Sequence, residues 1–232
     1  MATLLELAQM SSASYEPAAT GSWLKLENDY WAIINQFSNP DTHYYGVAYR
    51  NTRTGEIVIA NRGTDLFHGA EGAGKDLWSD IQLAAYQGFD AQRDAMIFAV
   101  QVAKNNPGAT IIETGHSLGG NEAAAAYAAL CRAGYTTQVS AVTFQAPGIP
   151  SDIAAGAGND VLNIYNQGDM IRLSGGEHLG TSISIDAGPS AVMTFLSIIA
   201  GATAVGRLAA TFFGAKLVLD NAHSIEPRQW CE

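Results

Sequence analysis

The alternation of apolar strands with helices over residues 90–186 limits the fold of this chain more than any other feature. Runs of apolar and β-branched residues, typical of buried strands, occur at 109–115, 138–148, 160–169 and 181–186. Two helical patterns accompany them: one begins with Asp90 as its N-cap, and an alanine-rich one ends near Gly134. This order predicts an α/β fold in which helices cover a mainly parallel sheet.

The chain of 232 residues is predicted to form a single domain. Upstream of the alternating region, apolar runs at 43–51 and 56–63 are separated by Thr-Arg-Thr-Gly, which predicts a β-hairpin. No repeat with a period of about 20–50 residues and no low-complexity linker divides the chain. A chain of this length can bury the core of one α/β domain.

Composition excludes several functions. The formal net charge is −10 and the 12 Lys and Arg residues are scattered, so the chain lacks the basic patch that nucleic-acid binding requires.

Cys131 and Cys231 are too few for a disulfide scaffold and have no metal-ligand spacing, and whether they pair stays open. The N-terminal apolar run lacks a basic region and contains Glu6, so no Sec signal peptide is predicted. We expect a chain that is cytoplasmic, exported by another route, or separated from its leader.

The motif Thr-Gly-His-Ser-Leu-Gly-Gly at 114–120 places Ser117 two residues from a glycine on each side. Because a predicted strand turns into the alanine-rich helix here, the motif predicts a nucleophile elbow with a strained serine backbone. The small Gly120 and Ala123 let the helix pack close to the strand, and the Leu118 backbone N–H points toward a developing oxyanion. The alternative is an ordinary turn in which Ser117 caps the helix.

A nucleophilic serine needs a histidine that accepts its proton and a carboxylate that orients the histidine. In α/β-hydrolases the acid follows the serine along the chain and the histidine comes last. Asp169, after the third buried strand, and His223, on a loop near the C-terminus, fit this order, with His178 as the competing base. Asp186 and Asp220 are the alternative acids.

The remaining histidines are expected to have other roles. His116 adjoins the serine on the opposite side of the elbow, so we expect it to pack beneath the turn. His43 lies in a predicted hairpin strand, and His68 lies in a glycine-rich stretch.

A second oxyanion donor is predicted at Thr64. It follows a predicted strand, and the Gly63–Thr64 turn can present the Thr64 backbone amide together with its hydroxyl. The alternative is a threonine of an ordinary β-turn.

Four short motifs follow one another along the chain: Arg-Gly-Thr-Asp at 62–65, Thr-Gly-His-Ser-Leu-Gly-Gly at 114–120, Tyr-Asn-Gln-Gly-Asp-Met-Ile at 165–171 and Ala-His-Ser-Ile-Glu at 222–226. Over residues 43–226 they resemble the class 3 lipases of the α/β-hydrolase fold. By this resemblance Ser117, Asp169 and His223 are the nucleophile, acid and base, and Thr64 is the oxyanion-hole residue. The resemblance implies hydrolysis of fatty-acid esters without a metal or other cofactor.

The same resemblance places a lid at residues 66–88. The residues expected to face lipid are Leu66, Phe67, Leu77 and Trp78. The chain departs from the family's pattern after the second glycine of the serine motif, where the polar Asn121 and Glu122 replace small or apolar residues.

Residues 188–219 form an apolar segment that is predicted to be helical, and residues 187–206 carry no charge. Their length admits a membrane span. A span would, however, separate Asp169 from His223, which must meet in one site. We therefore expect a helical segment that is buried in the core or that binds acyl chains or docks at an interface.

These observations predict a carboxylic ester hydrolase, a lipase or esterase that forms an acyl-enzyme on Ser117. Its partner is a lipid or ester substrate, and a transient contact with a membrane or lipid interface stays open, as does the oligomeric state. One alternative is a phospholipase A1 that acts on membrane lipids. Another is a catalytically silent lipid-binding protein that has kept the fold.

Overall fold

In the computed structural model, one sheet of eight strands runs through the part of the chain that the structure describes, and strands adjacent in space are adjacent along the chain. The described residues are 1–16, 19–26, 29–63, 89–167 and 171–185. The predicted lid at 66–88 and the apolar segment at 188–219 lie outside them.

The strands divide into an antiparallel half and a parallel half. Their bounds are β1 Trp23–Leu26, β2 Asp29–Asn39, β3 Tyr44–Asn51, β4 Ile57–Asn61, β5 Ile111–His116, β6 Val139–Phe144, β7 Val161–Asn166 and β8 Thr181–Ile185. Antiparallel pairs join β1 through β4. Parallel pairs join β4 through β8. The parallel half contains the four strands predicted from the alternating region, and the β3–β4 pair is the predicted hairpin.

Helices flank the sheet. Their bounds are α1 Leu4–Ala13, α2 Phe89–Asn105, α3 Leu118–Arg132 and α4 Ser151–Ala154, and residues Ile171–Leu173 form a turn of 3₁₀-helix. A mostly parallel sheet with flanking helices confirms the predicted α/β fold class. Helix α1 begins with a capping box, in which the Thr3 hydroxyl accepts from the Glu6 backbone and the Glu6 carboxylate accepts from the Thr3 backbone.

Alternation along the strands sends side chains to two separate cores. On one side of the sheet, Ile57, Ile59 and Ile111 pack with residues of α2 and α3. We call this side the α3 face. On the other side, Val58 and Ile112 pack with residues of α1. We call that side the α1 face.

Strands β1 and β2 and helix α1 were not predicted. In β2 the register shifts between Ile33 and Asn35, so the alternation of inward and outward residues is interrupted. Strand β1 has only four residues, which is too short to show a period. The buried Trp31 of β2 nevertheless anchors this end of the sheet on the α1 face.

Two predicted positions are corrected by the structure. His43 is not in a hairpin strand but in the turn between β2 and β3, where it is exposed and has a φ of 59°. Asp90 is not an N-cap, because α2 already includes Phe89 and Asp90 lies in its first turn. The inner face of this helix carries Ala95, Phe98 and Val102, which are buried, and Ala91, which is partly buried.

Cys131 is a buried free thiol in α3, and Cys231 lies outside the described residues. Within the described ranges, no helix combines the length and the apolar character needed to cross a membrane.

Candidate active site

Ser117 occupies the sharp turn between β5 and α3. Its backbone has a φ of 56° and a ψ of −126°, a combination that an L-residue adopts only at a cost of about 1–3 kcal/mol. Hydrogen bonds maintain the turn: the Ser117 N–H donates to the Phe144 carbonyl at 3.0 Å, and the Gly120 N–H donates to the Ser117 carbonyl at 3.0 Å. The Ser117 hydroxyl makes no capping hydrogen bond to α3, so the alternative of a helix-capping serine is wrong.

The glycines of the motif allow three backbone segments to meet at the elbow. A Cβ atom on Gly115 would lie 2.7 Å from the Gly120 nitrogen, and one on Gly119 would lie 2.6 Å from the Gly63 nitrogen. Real Cβ atoms essentially never approach so closely. The start of α3 therefore packs directly on β5 and on the end of β4, as the small residues predicted.

Gly63, which follows β4, packs closely against the backbone of the elbow. A Cβ atom on Gly63 would lie 2.9 Å from the His116 carbonyl oxygen and 3.3 Å from the Gly119 nitrogen. At the start of α3, the Leu118 N–H has no acceptor within its own helix, because the first amides of a helix precede the hydrogen-bonding repeat. Thr64, the predicted second donor, follows Gly63 directly but lies outside the described residues.

His116 is buried beneath the elbow, as predicted. Only 6% of its surface is exposed, and its Nδ1 atom lies 3.4 Å from the Tyr15 hydroxyl. Burial lowers the pKa of His116 to about 3, and a hydrogen bond with the Gln145 side chain opposes that shift. The imidazole is therefore neutral at neutral pH and is held by groups other than Ser117.

His178, the competing base, is engaged at both ring nitrogens. Its Nε2 atom lies 2.7 Å from the Arg172 carbonyl oxygen, and its Nδ1 atom lies 2.7 Å from the Tyr165 hydroxyl. Since a carbonyl only accepts, Nε2 carries the proton and Tyr165 donates to Nδ1. The imidazole also packs edge-on against the Tyr165 ring. In this arrangement His178 links β7 to the chain segment that follows it. Neither ring nitrogen is available to accept a proton from a serine hydroxyl.

The segment after β7 is joined to the segment after β6. The Gly148 N–H donates to the Ser174 carbonyl at 2.9 Å, and Ile149 and Glu177 exchange two backbone hydrogen bonds of 2.8 Å. Asp169, the predicted acid, belongs to the stretch between β7 and these contacts and lies outside the described residues. Asp186, Asp220, His68 and His223 also lie outside them.

Two buried carboxyl groups near the elbow were not identified as such from the sequence. Glu113 of β5 is fully buried, and its Oε2 atom accepts from the Asn61 amide at 2.9 Å. Asn61 in turn accepts from the Tyr44 hydroxyl at 2.7 Å, so β3, β4 and β5 are linked at the level of the elbow. Burial raises the pKa of Glu113 to about 8, and burial likewise raises the pKa of Glu122 in α3.

Asn121, the other polar residue that departs from the lipase pattern, has a structural explanation. Its side-chain amide donates to the Gly148 carbonyl at 2.5 Å and accepts from the Gln92 side chain. Asn121 therefore joins α2, α3 and the segment after β6. These partners are distant along the chain, so nothing in the local sequence indicates them.

The expected lipid-facing residues of the lid are not part of the described site; they are Leu66, Phe67, Leu77 and Trp78. Among the described side chains, no group of three or more His, Cys, Asp or Glu residues is arranged to hold a metal ion.

A mostly parallel sheet with a strained serine between strand and helix defines the α/β-hydrolase fold. The chain belongs to the Mbeg1-like family, whose model matches residues 26–163. No curated protein matches the chain in sequence.

Solved structures of fungal lipases share the fold. A mutant form of MDLA from Penicillium cyclopium is 19% identical with a TM-score of 0.58, over 80% of this chain and 82% of that one. The triacylglyceride lipase of Rhizomucor miehei is 18% identical with a TM-score of 0.58, over 79% and 82%. A triacylglycerol lipase from Penicillium expansum is 20% identical with a TM-score of 0.56, over 79% of both chains. The expected likeness to class 3 lipases is thus confirmed for the fold.

Proposed function

We propose that this protein is a carboxylic ester hydrolase of the lipase type, with Ser117 as its nucleophile. The observation that carries the proposal is the backbone of Ser117, which is strained, lies at the carboxyl end of β5 and leaves the hydroxyl unused for capping. A strained serine at this place in an α/β sheet is the arrangement that nucleophilic catalysis requires.

In the proposed reaction, the Ser117 oxygen attacks the acyl carbon of the ester while His223 accepts the hydroxyl proton. Asp169 holds the imidazole of His223 in the required tautomer. The imidazolium then gives its proton to the leaving alcohol, which leaves an acyl-enzyme. Water, deprotonated by His223, then attacks the acyl carbon, and the imidazolium returns the proton to the Ser117 oxygen as the acyl–oxygen bond breaks. This releases the fatty acid and restores free Ser117 and neutral His223.

The assignment of His223 as the base is supported by what the other histidines do. His116 is buried and held by Tyr15 and Gln145, and both nitrogens of His178 are engaged. His43 is exposed in the β2–β3 turn. Chain order favours His223 over His68.

The assignment of Leu118 and Thr64 as oxyanion donors is supported by the packing of their neighbours. The Leu118 amide is the first of α3, where the helix dipole favours negative charge. Gly63 is in close contact with the backbone at His116 and Gly119, and Thr64 is the next residue. Two amides from adjacent segments would then stabilise the tetrahedral intermediate.

The proposed substrate is a fatty-acyl ester, because the structural neighbours include enzymes described as triacylglycerol lipases.

A p-nitrophenyl ester series from acetate to palmitate tests the proposal, with Ser117→Ala as the control. We expect turnover by the wild-type protein and background turnover by the variant. Equal turnover by both would contradict the proposal. Fatty-acid release from triolein and from phosphatidylcholine, measured side by side, separates a lipase from a phospholipase A1.

A further inference from the structure

Asn61 is a fully buried polar residue at the end of β4, the strand that leads to Gly63 and Thr64. It is the last residue of β4 that pairs with β5, where its partner is Gly115 of the serine motif. Beyond this pair the ladder between the two strands ends, so its backbone hydrogen bonds no longer fix the residues that follow. A link between β4 and β5 at this level therefore depends on side chains.

The side chain of Asn61 makes hydrogen bonds to both neighbouring strands. Its amide donates to the Glu113 Oε2 atom at 2.9 Å and, over a longer distance of 3.4 Å, to the Thr114 carbonyl oxygen, both in β5. Its carbonyl oxygen accepts from the Tyr44 hydroxyl of β3 at 2.7 Å. Because Asn61, Glu113 and Tyr44 are all fully buried, water does not compete for these bonds. The end of β4 is thus held between β3 and β5.

The backbone of Asn61 also contacts the start of α3. A Cβ atom on Gly119 would collide with the Asn61 carbonyl oxygen, and it would lie 2.6 Å from the Gly63 nitrogen. The end of β4 and the first turn of α3 are therefore in direct contact beside Leu118. A shift of the end of β4 would change the distance between the two proposed oxyanion donors, the amides of Thr64 and Leu118.

We propose that Asn61 is a positioning residue for the oxyanion hole, and that it acts by fixing the end of β4 against β5 next to the serine turn. This inference rests on the proposed ester hydrolysis. Oxyanion donors act when they lie within hydrogen-bonding distance of the charge that develops in the transition state. Displacing one donor therefore lowers kcat more than it lowers substrate binding, because the ester oxygen carries little charge in the ground state.

Asn61→Ala tests the role in catalysis. We expect kcat for a short p-nitrophenyl ester to fall about tenfold while KM changes less than about twofold.

Asn163→Ala is the matched control. Asn163 is buried and lies in the same row of the sheet, because Asn61, Gly115, Thr143 and Asn163 are paired in succession. Its side chain also makes hydrogen bonds to a neighbouring side chain, that of Thr143, and to two backbone carbonyls. Asn163→Ala should therefore lower the melting temperature about as much as Asn61→Ala does, while kcat stays within about twofold of the wild-type value.

A transition-state analogue distinguishes positioning from a loss of folded protein. An alkyl trifluoromethyl ketone adds to a nucleophilic serine and gives a hemiketal whose oxyanion occupies the oxyanion hole. Its inhibition constant should rise in Asn61→Ala by about the factor by which kcat/KM falls. A smaller fraction of folded enzyme would lower the apparent kcat but leave the inhibition constant unchanged.

Glu113 supplies a second pair of variants. Glu113→Gln keeps a side-chain carbonyl oxygen that accepts from the Asn61 amide, so it should retain most of kcat. Glu113→Leu removes the acceptor and should lower kcat and raise the inhibition constant, as Asn61→Ala does. If Asn61→Ala does not fold, this pair tests the proposal on its own.

The outcomes separate this inference from the proposed function. Ser117-dependent turnover with an unchanged kcat in Asn61→Ala, or in Glu113→Leu, would contradict the positioning role and leave ester hydrolysis intact. A fall in kcat without a rise in the inhibition constant would also contradict it, because the role would then be structural. An equal loss of kcat in Asn163→Ala would do the same. No Ser117-dependent turnover in the wild type would overturn the proposed function, and the positioning role would fall with it.

Discussion

The two halves of the sheet differ in what their buried polar groups do. In the antiparallel half, β1 to β4, polar side chains chiefly complete hydrogen bonds of the scaffold, such as the 3.3 Å bond from the Trp31 indole to Glu6. In the parallel half, β4 to β8, the carboxyl edge holds strained residues and backbone in close contact around Ser117. The antiparallel half therefore chiefly stabilises the fold. In the parallel half, the stability of the surrounding sheet maintains a strained local backbone at Ser117.

The difference follows from strand direction. The parallel strands β5, β6 and β7 all end at the same edge, so residues that follow them, such as Ser117 and Gln145, come together there. Antiparallel strands alternate in direction and bring hairpin turns, not a series of strand ends, to that edge. Open α/β sheets bind ligands at the carboxyl ends of their parallel strands for this reason.

The largest expected effect on activity comes from the parallel half. Ser117→Ala should lower kcat at least about a thousandfold, because in the proposed mechanism the acyl-enzyme forms on the Ser117 oxygen. The melting temperature should stay within a few degrees of the wild-type value, since the hydroxyl makes no capping bond. Ester turnover and thermal unfolding of the same sample measure both quantities. Retained turnover would show that the strained turn has no catalytic role.

The largest expected effect on stability comes from the antiparallel half. Trp31 is fully buried, so Trp31→Ala should lower the free energy of unfolding by about 4 kcal/mol. Trp23→Ala, at a tryptophan that is 64% exposed in the adjacent strand, is the control and should cost less than about 0.5 kcal/mol. Urea denaturation measures both. If folded Trp31→Ala also lost kcat, the division between the two halves would not hold.

Gly119→Ala should affect both stability and activity. Its Cβ atom would lie 2.6 Å from the Gly63 nitrogen, and we expect a loss of about 3 kcal/mol in the free energy of unfolding. Because the start of α3 would move away from β4, kcat should fall as well. The control is Gly158→Ala, at the opposite edge of the sheet, where the Cβ atom would meet the Tyr127 hydroxyl oxygen. A normal kcat in Gly119→Ala would break the link between close packing and catalysis.

Glu113→Gln should change how stability depends on pH. An unfolded glutamate loses its proton above its ordinary pKa of 4.5, whereas folded Glu113 keeps it until about pH 8. Between these values the folded protein binds the additional proton, so the wild-type free energy of unfolding falls as pH rises. The variant lacks this dependence and should gain about 3–4 kcal/mol relative to the wild type between pH 5 and pH 8. Parallel pH profiles in urea denaturation would contradict the burial of a protonated carboxyl.

Ser117→Gly gives the smallest expected change in stability. Glycine adopts the backbone of residue 117 with little strain, so the variant should gain about 1 kcal/mol of unfolding free energy while it loses activity. Ser117→Ala is the control, because it keeps the strain. Differential scanning calorimetry compares the two. A less stable Ser117→Gly would show that the elbow is not strained.

The parallel half was predictable chiefly because β4 to β7 are buried on both faces and most of their residues are apolar. The edge strand β8 is partly exposed and alternates serine with isoleucine, which is also a strand pattern. The antiparallel half was only partly predictable. The β3–β4 hairpin has a clear turn, but the bulge between Ile33 and Asn35 interrupts the pattern of β2. Helix α1 combines apolar residues with serines, which are weak helix formers, and it depends on its capping box and on packing against the sheet.

The candidate site shows the same limit. Ser117 and Leu118 were predicted because the glycine spacing and the strand–helix junction are local properties of the sequence. Tyr15 and Gln145 were not, since they reach His116 from the turn after α1 and from the end of β6, and nothing in the local sequence marks those contacts. The structure confirms the strained turn at Ser117, whereas the catalytic roles of Ser117 and Leu118 remain predictions. Those of Thr64, Asp169 and His223 also remain predictions, and they rest on chain order and on resemblance.

Covalent labelling tests whether Ser117 is an activated nucleophile. The folded protein is treated with a fluorophosphonate and digested, and the peptides are analysed by mass spectrometry. We expect a single adduct on the peptide that contains Ser117, no adduct in Ser117→Ala, and slower labelling in His223→Ala. An unlabelled Ser117 in the folded wild-type protein, or equal labelling of Ser117→Ala at another residue, would contradict it.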